Sequence, residues 1–173
     1  MPGVATGFDE FVRRSTPTLS RAAYALTSEV HIAQDLVQET HIRIARHWDR
    51  LSSEPEDPLP YARKTLYRLW QDSLRWRARH PERLGDLPDG MTKAEARDPS
   101  DTLDLQAALA KLPRLQRALL VLRYLEGQTE SQAAEILGCS LGTVQSQSRQ
   151  ALSTLRATYR SAENGLSPRG GTS

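Results

Sequence analysis

Apolar residues recur along this chain in steps of three and four, the period of helices that bury one face. Phe8, Phe11, Val12, Leu19, Ala22, Ala23 and Leu26 predict a helix over 8–26, with Pro17 expected to bend or break it. Over 30–48, Leu36, Thr40, Ile44 and Trp48 stack every four residues and Ala33 and Val37 widen the stripe, while Asp35, Gln38, Glu39, Arg43 and Arg46 take the other sides. Two such helices this close in sequence imply an antiparallel pair. SSEPEDPLP at 52–60 is acidic and proline-rich and predicts a loop. A third helix follows over 61–79. Residues 80–102 hold three prolines and two glycines without a sustained apolar period, the composition of a linker. Helical spacing resumes through Leu103, Leu105, Leu109 and Leu112, breaks at Pro113, and continues through Leu115, Ala118, Leu119, Leu122 and Leu125 to Gly127. The expectation is an all-α protein of two small helical domains, 1–83 and 103–160, with a flexible linker at 84–102 and a disordered tail at 161–173.

The stretch 129–155 is the most informative. Thr129 and Gln132 stand three apart, as in a capping box. Gly138 suits a left-handed helix end, and Ser140 suits the cap of the next helix. Val144, Ser148, Ala151 and Leu155 share one face of that second helix. Ala134, Gly138 and Val144 thus occupy the small, glycine and apolar positions of a helix-turn-helix, and Gln145, Ser146 and Arg149 are left to meet base edges or phosphates. Two capped helices with a glycine between them also occur in ordinary bundles.

Charge sharpens the picture. The net charge of +2 hides an alternation: 61–83 holds seven Lys/Arg against two Asp/Glu and 111–160 seven against three, while 1–60 and 84–110 are acidic. Basic islands suit a polyanion, although solvated faces are built the same way. In 61–79, Arg63, Lys64, Arg68, Arg75, Arg77 and Arg79 are interleaved with Tyr61, Tyr67, Trp70 and Trp76. Cations that track phosphates beside rings that stack on unpaired bases suit opening DNA, whereas aromatics facing a core and arginines facing water would look alike. Cys139 has no second cysteine to pair with, which implies a reducing compartment. There is no membrane-length apolar run and no secretion-signal pattern, so a cytoplasmic location is expected. His31, His41, His47 and His80 have no metal-ligand spacing, and neither a phosphate loop nor a nucleophile motif stands out. No catalytic activity, cofactor or metal is expected.

Over roughly 8–157 the chain resembles the extracytoplasmic-function group of bacterial RNA polymerase sigma factors. AQDLVQETHIRIARHWDR at 33–50 resembles the region two helix that binds the clamp helices of the polymerase β′ subunit, and 61–79 stands where helices melt and read the minus-ten element. LPRLQRALLVLRYLEGQTESQAAEILGCSLGTVQSQSRQALSTLR at 112–156 resembles region four, whose helix-turn-helix reads the minus-thirty-five element and whose flank docks on the β flap. The resemblance implies core-polymerase contacts at Asp35, Gln38, Glu39 and Arg43. It implies minus-ten contacts at Arg63, Lys64, Arg68, Trp70, Asp72, Arg75 and Trp76, and minus-thirty-five contacts at Thr143, Gln145, Ser146 and Arg149. Members of the group are often held inactive by an anti-sigma factor. Arg68 replaces a commonly found asparagine. Gln145, Gln147 and Gln150 replace commonly basic residues, so a weaker upstream grip with a flatter salt dependence is expected. The competing function is a helix-turn-helix regulator that binds duplex DNA without polymerase. A common core hiding both Trp70's neighbourhood and the 145–149 surface would contradict the sigma reading.

Overall fold

The computed structural model describes residues 2–86 and 101–165. Every regular element among them is helical. They are α1 (Pro2–Thr27), α2 (Val30–Arg46), α3 (Trp48–Ser53), α4 (Leu59–Arg79), a 3-10 turn (Pro81–Asp86), α5 (Asp101–Ala110), α6 (Arg114–Leu120) running into a π turn (Val121–Leu125), α7 (Glu130–Leu137) and α8 (Leu141–Gly165). The fold class is all-α, as the periodicity predicts. Residues 87–100, most of the expected linker, lie outside the described residues, as do 166–173 of the expected tail. Helix α8 continues to Gly165, beyond the boundary expected at 160.

Pro17 does not break α1. A proline costs the helix one donor and crowds the preceding turn. Here Phe11, Leu19, Ala22, Ala23 and Leu26 are buried on either side of it, so one packed face spans the ring. On α2 the buried residues are Ala33, Leu36, Val37, Thr40 and Ile44, the stripe marked by the four-residue period. Thr40 can be buried because its Oγ1 donates to the Leu36 carbonyl at 2.7 Å. The predicted helix is interrupted at His47, and the chain restarts as α3, inside the segment read as helix and then loop. Trp48 and Leu51 bury the short helix. The Trp48 ring meets Phe8 edge-on at 5.3 Å and Phe11 at 5.4 Å. The Asp57 carboxylate then joins two elements, accepting the Leu59 N–H at 3.0 Å where α4 begins and pairing with Arg14 of α1 at 2.8 Å.

In the second module Pro113 precedes α6, and Arg117 projects from that helix to two helix ends. Its guanidinium donates to the carbonyls of Leu26 in α1 (2.8 Å) and Ala110 in α5 (2.6 Å), where a cation also meets the negative ends of the helix dipoles. Gln106 of α5 donates to the Tyr24 carbonyl and to the Ser28 hydroxyl. The C-terminus of α1 is therefore capped by side chains of the other module. One continuous set of buried residues runs from Phe11 through Leu66, Tyr67 and Trp70 of α4 to Leu122, Leu137, Val144 and Ala151. The modules share this core.

Candidate nucleic-acid and polymerase interfaces

The helix-turn-helix forms as its sequence predicts. Thr129 Oγ1 accepts the Gln132 N–H at 3.1 Å, and Gln132 Oε1 accepts the Thr129 N–H at 2.8 Å, closing the capping box. Gly138 ends α7 at φ 67°, in the left-handed region where a side chain would be strained. Ser140 Oγ accepts the Thr143 N–H at 3.1 Å and so caps α8. Val144, Ser148 and Ala151 face inward, and Ser146 and Arg149 are exposed. Thr143 and Gln145 are half-buried at the rim. Arg149 makes no ion pair among the described residues. Two glutamines of α8 are occupied from behind: Gln116 Nε2 donates to Gln147 Oε1 at 3.2 Å and to Gln150 Oε1 at 3.4 Å. Gln145 Nε2 donates instead to Glu130 Oε2 at 3.1 Å.

Helix α4 is divided by its own period. Its outer stripe carries Tyr61, Arg68, Asp72, Arg75 and Trp76, all exposed. Asp72 pairs with Arg75 at 3.3 Å, and Arg68 makes no ion pair among the described residues. The ring of Trp76, 44 % exposed, stacks on His80 with centroids 4.6 Å apart. Three residues expected at the DNA surface are not on this stripe, and two of them are buried. Trp70 is 5 % exposed, edge-on to Tyr67 in the shared core. Arg63 is 9 % exposed, with its Nε 2.9 Å from Glu126 Oε1. Their exposure is corrected for a geometric reason: Arg63, Leu66, Tyr67, Trp70 and Leu74 recur at steps of three and four, so Arg63 stands in the apolar stripe. Tyr67 Oη donates to Glu126 Oε2 at 2.6 Å. Burial first, and then the adjacent Glu126 charge, hold this phenol well above its ordinary pKa, so it keeps the proton it donates. Lys64, half-buried, pairs with Glu135 of α7 at 3.0 Å, and Gln71 donates to the Leu137 carbonyl at the end of the same helix. Arg68, Gln71, Asp72 and Arg75 thereby line a cleft of about 310 Å³ against Glu135 to Gly138. Sequence reasoning missed Glu126, Glu135 and Gln71, because which carboxylate or amide meets which helix is set by docking and leaves no mark on local spacing.

On α2, Asp35, Gln38, Glu39 and Arg43 form one outward stripe, and Ile42 beside them is 40 % exposed. Glu39 and Arg43 pair at 3.2 Å. His41 turns toward α1 instead, with Nε2 3.0 Å from Ser15 Oγ and its ring edge-on to Phe11. Burial holds its imidazole below the ordinary pKa. Among the described residues no His, Cys, Asp and Glu cluster could hold a metal ion, and no helix is long and apolar enough to cross a membrane.

Comparison with known proteins bears on both modules. The sigma-70 region 2 family matches residues 11–80, and the sigma-70 region 4 family matches 102–155. The RNA polymerase sigma-E factor of Streptomyces avermitilis is 31 % identical over 163 residues, covering 93 % of this chain and 89 % of the relative. The extracytoplasmic-function (ECF) RNA polymerase sigma factor EcfG of Rhodopseudomonas palustris is 35 % identical over 149 residues, covering 83 % of this chain and 80 % of the relative. The chain belongs to the extracytoplasmic-function sigma factors. SigE of Mycolicibacterium smegmatis is 34 % identical over 158 residues, 86 % of this sigma factor, which spans 60 % of that longer relative. Among solved structures, the sigma factor RpoE of Bartonella quintana, crystallised with the anti-sigma factor NepR, superposes with a TM-score of 0.72 at 24 % identity, over 89 % of this chain and 97 % of that one. That likeness concerns the fold. The competing reading, a polymerase-independent regulator, accounts for α7 and α8 alone and does not survive the region 2 match over 11–80.

Proposed function

We propose that this sigma factor binds core RNA polymerase through the outer stripe of α2 and directs it to a restricted set of promoters through α4 and α8. The observation that carries this reading is the state of α2. Every apolar residue of its inner stripe is buried, while Asp35, Gln38, Glu39 and Arg43 face outward with no partner from another helix among the described residues. Such a polar stripe with Ile42 at its centre suits a large protein surface. Arg68, Asp72, Arg75 and Trp76 then meet the minus-ten element, the cations on phosphates and the indole near unpaired bases. Lys64, Arg63 and Trp70 join them only when α4 separates from the second module, because Glu135, Glu126 and the shared core hold them in this arrangement. Strand opening draws on binding energy, and the chain itself hydrolyses nothing. The working location is the cytoplasm, with the polymerase, and an anti-sigma partner is consistent with the same faces.

Reconstitution with core polymerase tests the assignment. Replacing Asp35 and Gln38 together with alanine is expected to weaken association with core at least ten-fold in a fluorescence titration. Replacing Arg68 and Arg75 is expected to leave core binding intact and to lower permanganate-detected strand opening at a promoter of the source genome. Equal core binding by the first variant would remove α2 from the interface. Normal opening by the second would remove α4 from the promoter.

A further inference from the structure

The pairing of Glu130 with Gln145 has a consequence for sequence reading, and it rests on the promoter function proposed above. Gln145 occupies the recognition helix at the rim of the DNA-facing surface, and Glu130 is the first residue of α7 after the capping threonine. Their contact joins the two helices of the motif across the turn, with Nε2 to Oε2 at 3.1 Å. A free glutamine amide can turn over and exchange its donor for its acceptor. A carboxylate only accepts, so the atom facing Glu130 must be the nitrogen, and the amide is fixed in one orientation. One N–H and the carbonyl oxygen remain for a ligand. That pair matches adenine, which offers N7 to a donor and N6–H to an acceptor, and it fails against guanine, whose N7 and O6 both accept. The Glu130 carboxylate repels guanine's acceptors further and repels phosphates as well, so it raises discrimination and lowers overall affinity.

We propose that Glu130 is a positioning residue that locks the Gln145 amide and gives the upstream element a preference for adenine over guanine at the one base pair Gln145 meets. Gln147 and Gln150 lack this role, since their partner Gln116 is itself an amide that can turn over, and it does not fix either side chain in one orientation.

The test is selection from a randomised upstream element by reconstituted holoenzyme, comparing the parent chain with E130A, E130Q and Q145A. Q145A identifies the position read. At that position E130A is expected to lower the adenine-to-guanine ratio about five-fold, the worth of one hydrogen bond. E130Q, whose amide can donate as well as accept and so no longer fixes the orientation of Gln145, is expected to lower the ratio as well. Both should bind random duplex more tightly than the parent, because both remove a charge that repels phosphate. A merely structural Glu130 would shift the melting temperature and leave the base ratio alone. An unchanged ratio in E130A, or a Q145A profile identical to the parent's, overturns the pairing while the promoter function stands. If the parent holoenzyme enriches no upstream sequence, the promoter reading and this inference fall together.

Discussion

Helices α4 and α8 both carry residues proposed above to meet the promoter, and they are held in opposite ways. Helix α4 is rich in cations, and the second module takes hold of two of them: Arg63 lies in the core against Glu126, and Lys64 is tied to Glu135. Helix α8 is poor in cations, yet its outer face is open, with Ser146 and Arg149 exposed and Gln145 held at its edge. A count of basic residues ranks α4 well above α8 as a polyanion surface. The tertiary arrangement narrows that gap, because charge contributes to DNA binding only where phosphate can reach it.

The strongest way to break this contrast is to cut the hold on α4. E126A leaves Arg63 buried without its carboxylate and the Tyr67 hydroxyl without its acceptor, and the loss of one partner of a buried ion pair costs about 3 kcal/mol. A fall of that size is expected in urea unfolding, with a larger radius of gyration in solution scattering as the modules separate. K64A, whose partner Glu135 is 73 % exposed, is expected to cost no more than about 0.5 kcal/mol. If the two variants behaved alike, the buried contact would not be the one that matters.

The open face of α8 can be sharpened by supplying the charge it lacks. Q150R is expected to tighten binding of the holoenzyme to upstream duplex and to steepen the dependence of log K on log salt by about 0.9, one phosphate's worth. An unchanged slope would show that this edge of α8 does not meet the backbone.

The smallest effect concerns His41, which sits behind the outer stripe of α2 and on neither α4 nor α8. Burial lowers its pKa, so the unfolded chain binds this proton more readily than the folded one. Its contribution to stability is therefore present above the ordinary imidazole value of about 6.5 and is lost as pH falls through its lower folded value. H41Q is expected to flatten the decline in melting temperature between pH 7 and pH 5 and to leave Arg63 and Glu126 unaffected. An unaltered decline would assign that acid sensitivity elsewhere.

Much of the architecture was legible in the chain. The steps of three and four over 30–48 picked out the five residues that α2 buries. Thr129, Gln132, Gly138 and Ser140 named the caps of α7 and α8, since each cap is an interaction between residues two to four apart. The short helix α3 was not legible, because two apolar residues against α1 hold it and its local propensity does not. Pro17 misled for the related reason that packing on both sides outweighs one lost hydrogen bond. Arg63 is legible by position, as it falls on the stripe of Leu66, Tyr67 and Trp70, while its charge points to the surface instead.

The sequence by itself determined the long helices, the caps of α7 and α8 and the helix-turn-helix, which follow from period and spacing within a few residues, and its resemblance to a known family gave the order of the two sigma regions. Only the tertiary structure decided that α1 ends on Gln106 and Arg117, that Glu126 holds Arg63 and Tyr67 in the shared core, and that Glu130 meets the Gln145 amide. Most of those partners stand 59 to 91 positions apart, and even Glu130 and Gln145, 15 apart, meet only across a docked turn. Local period carries no information about such meetings, which are settled by how the helices pack.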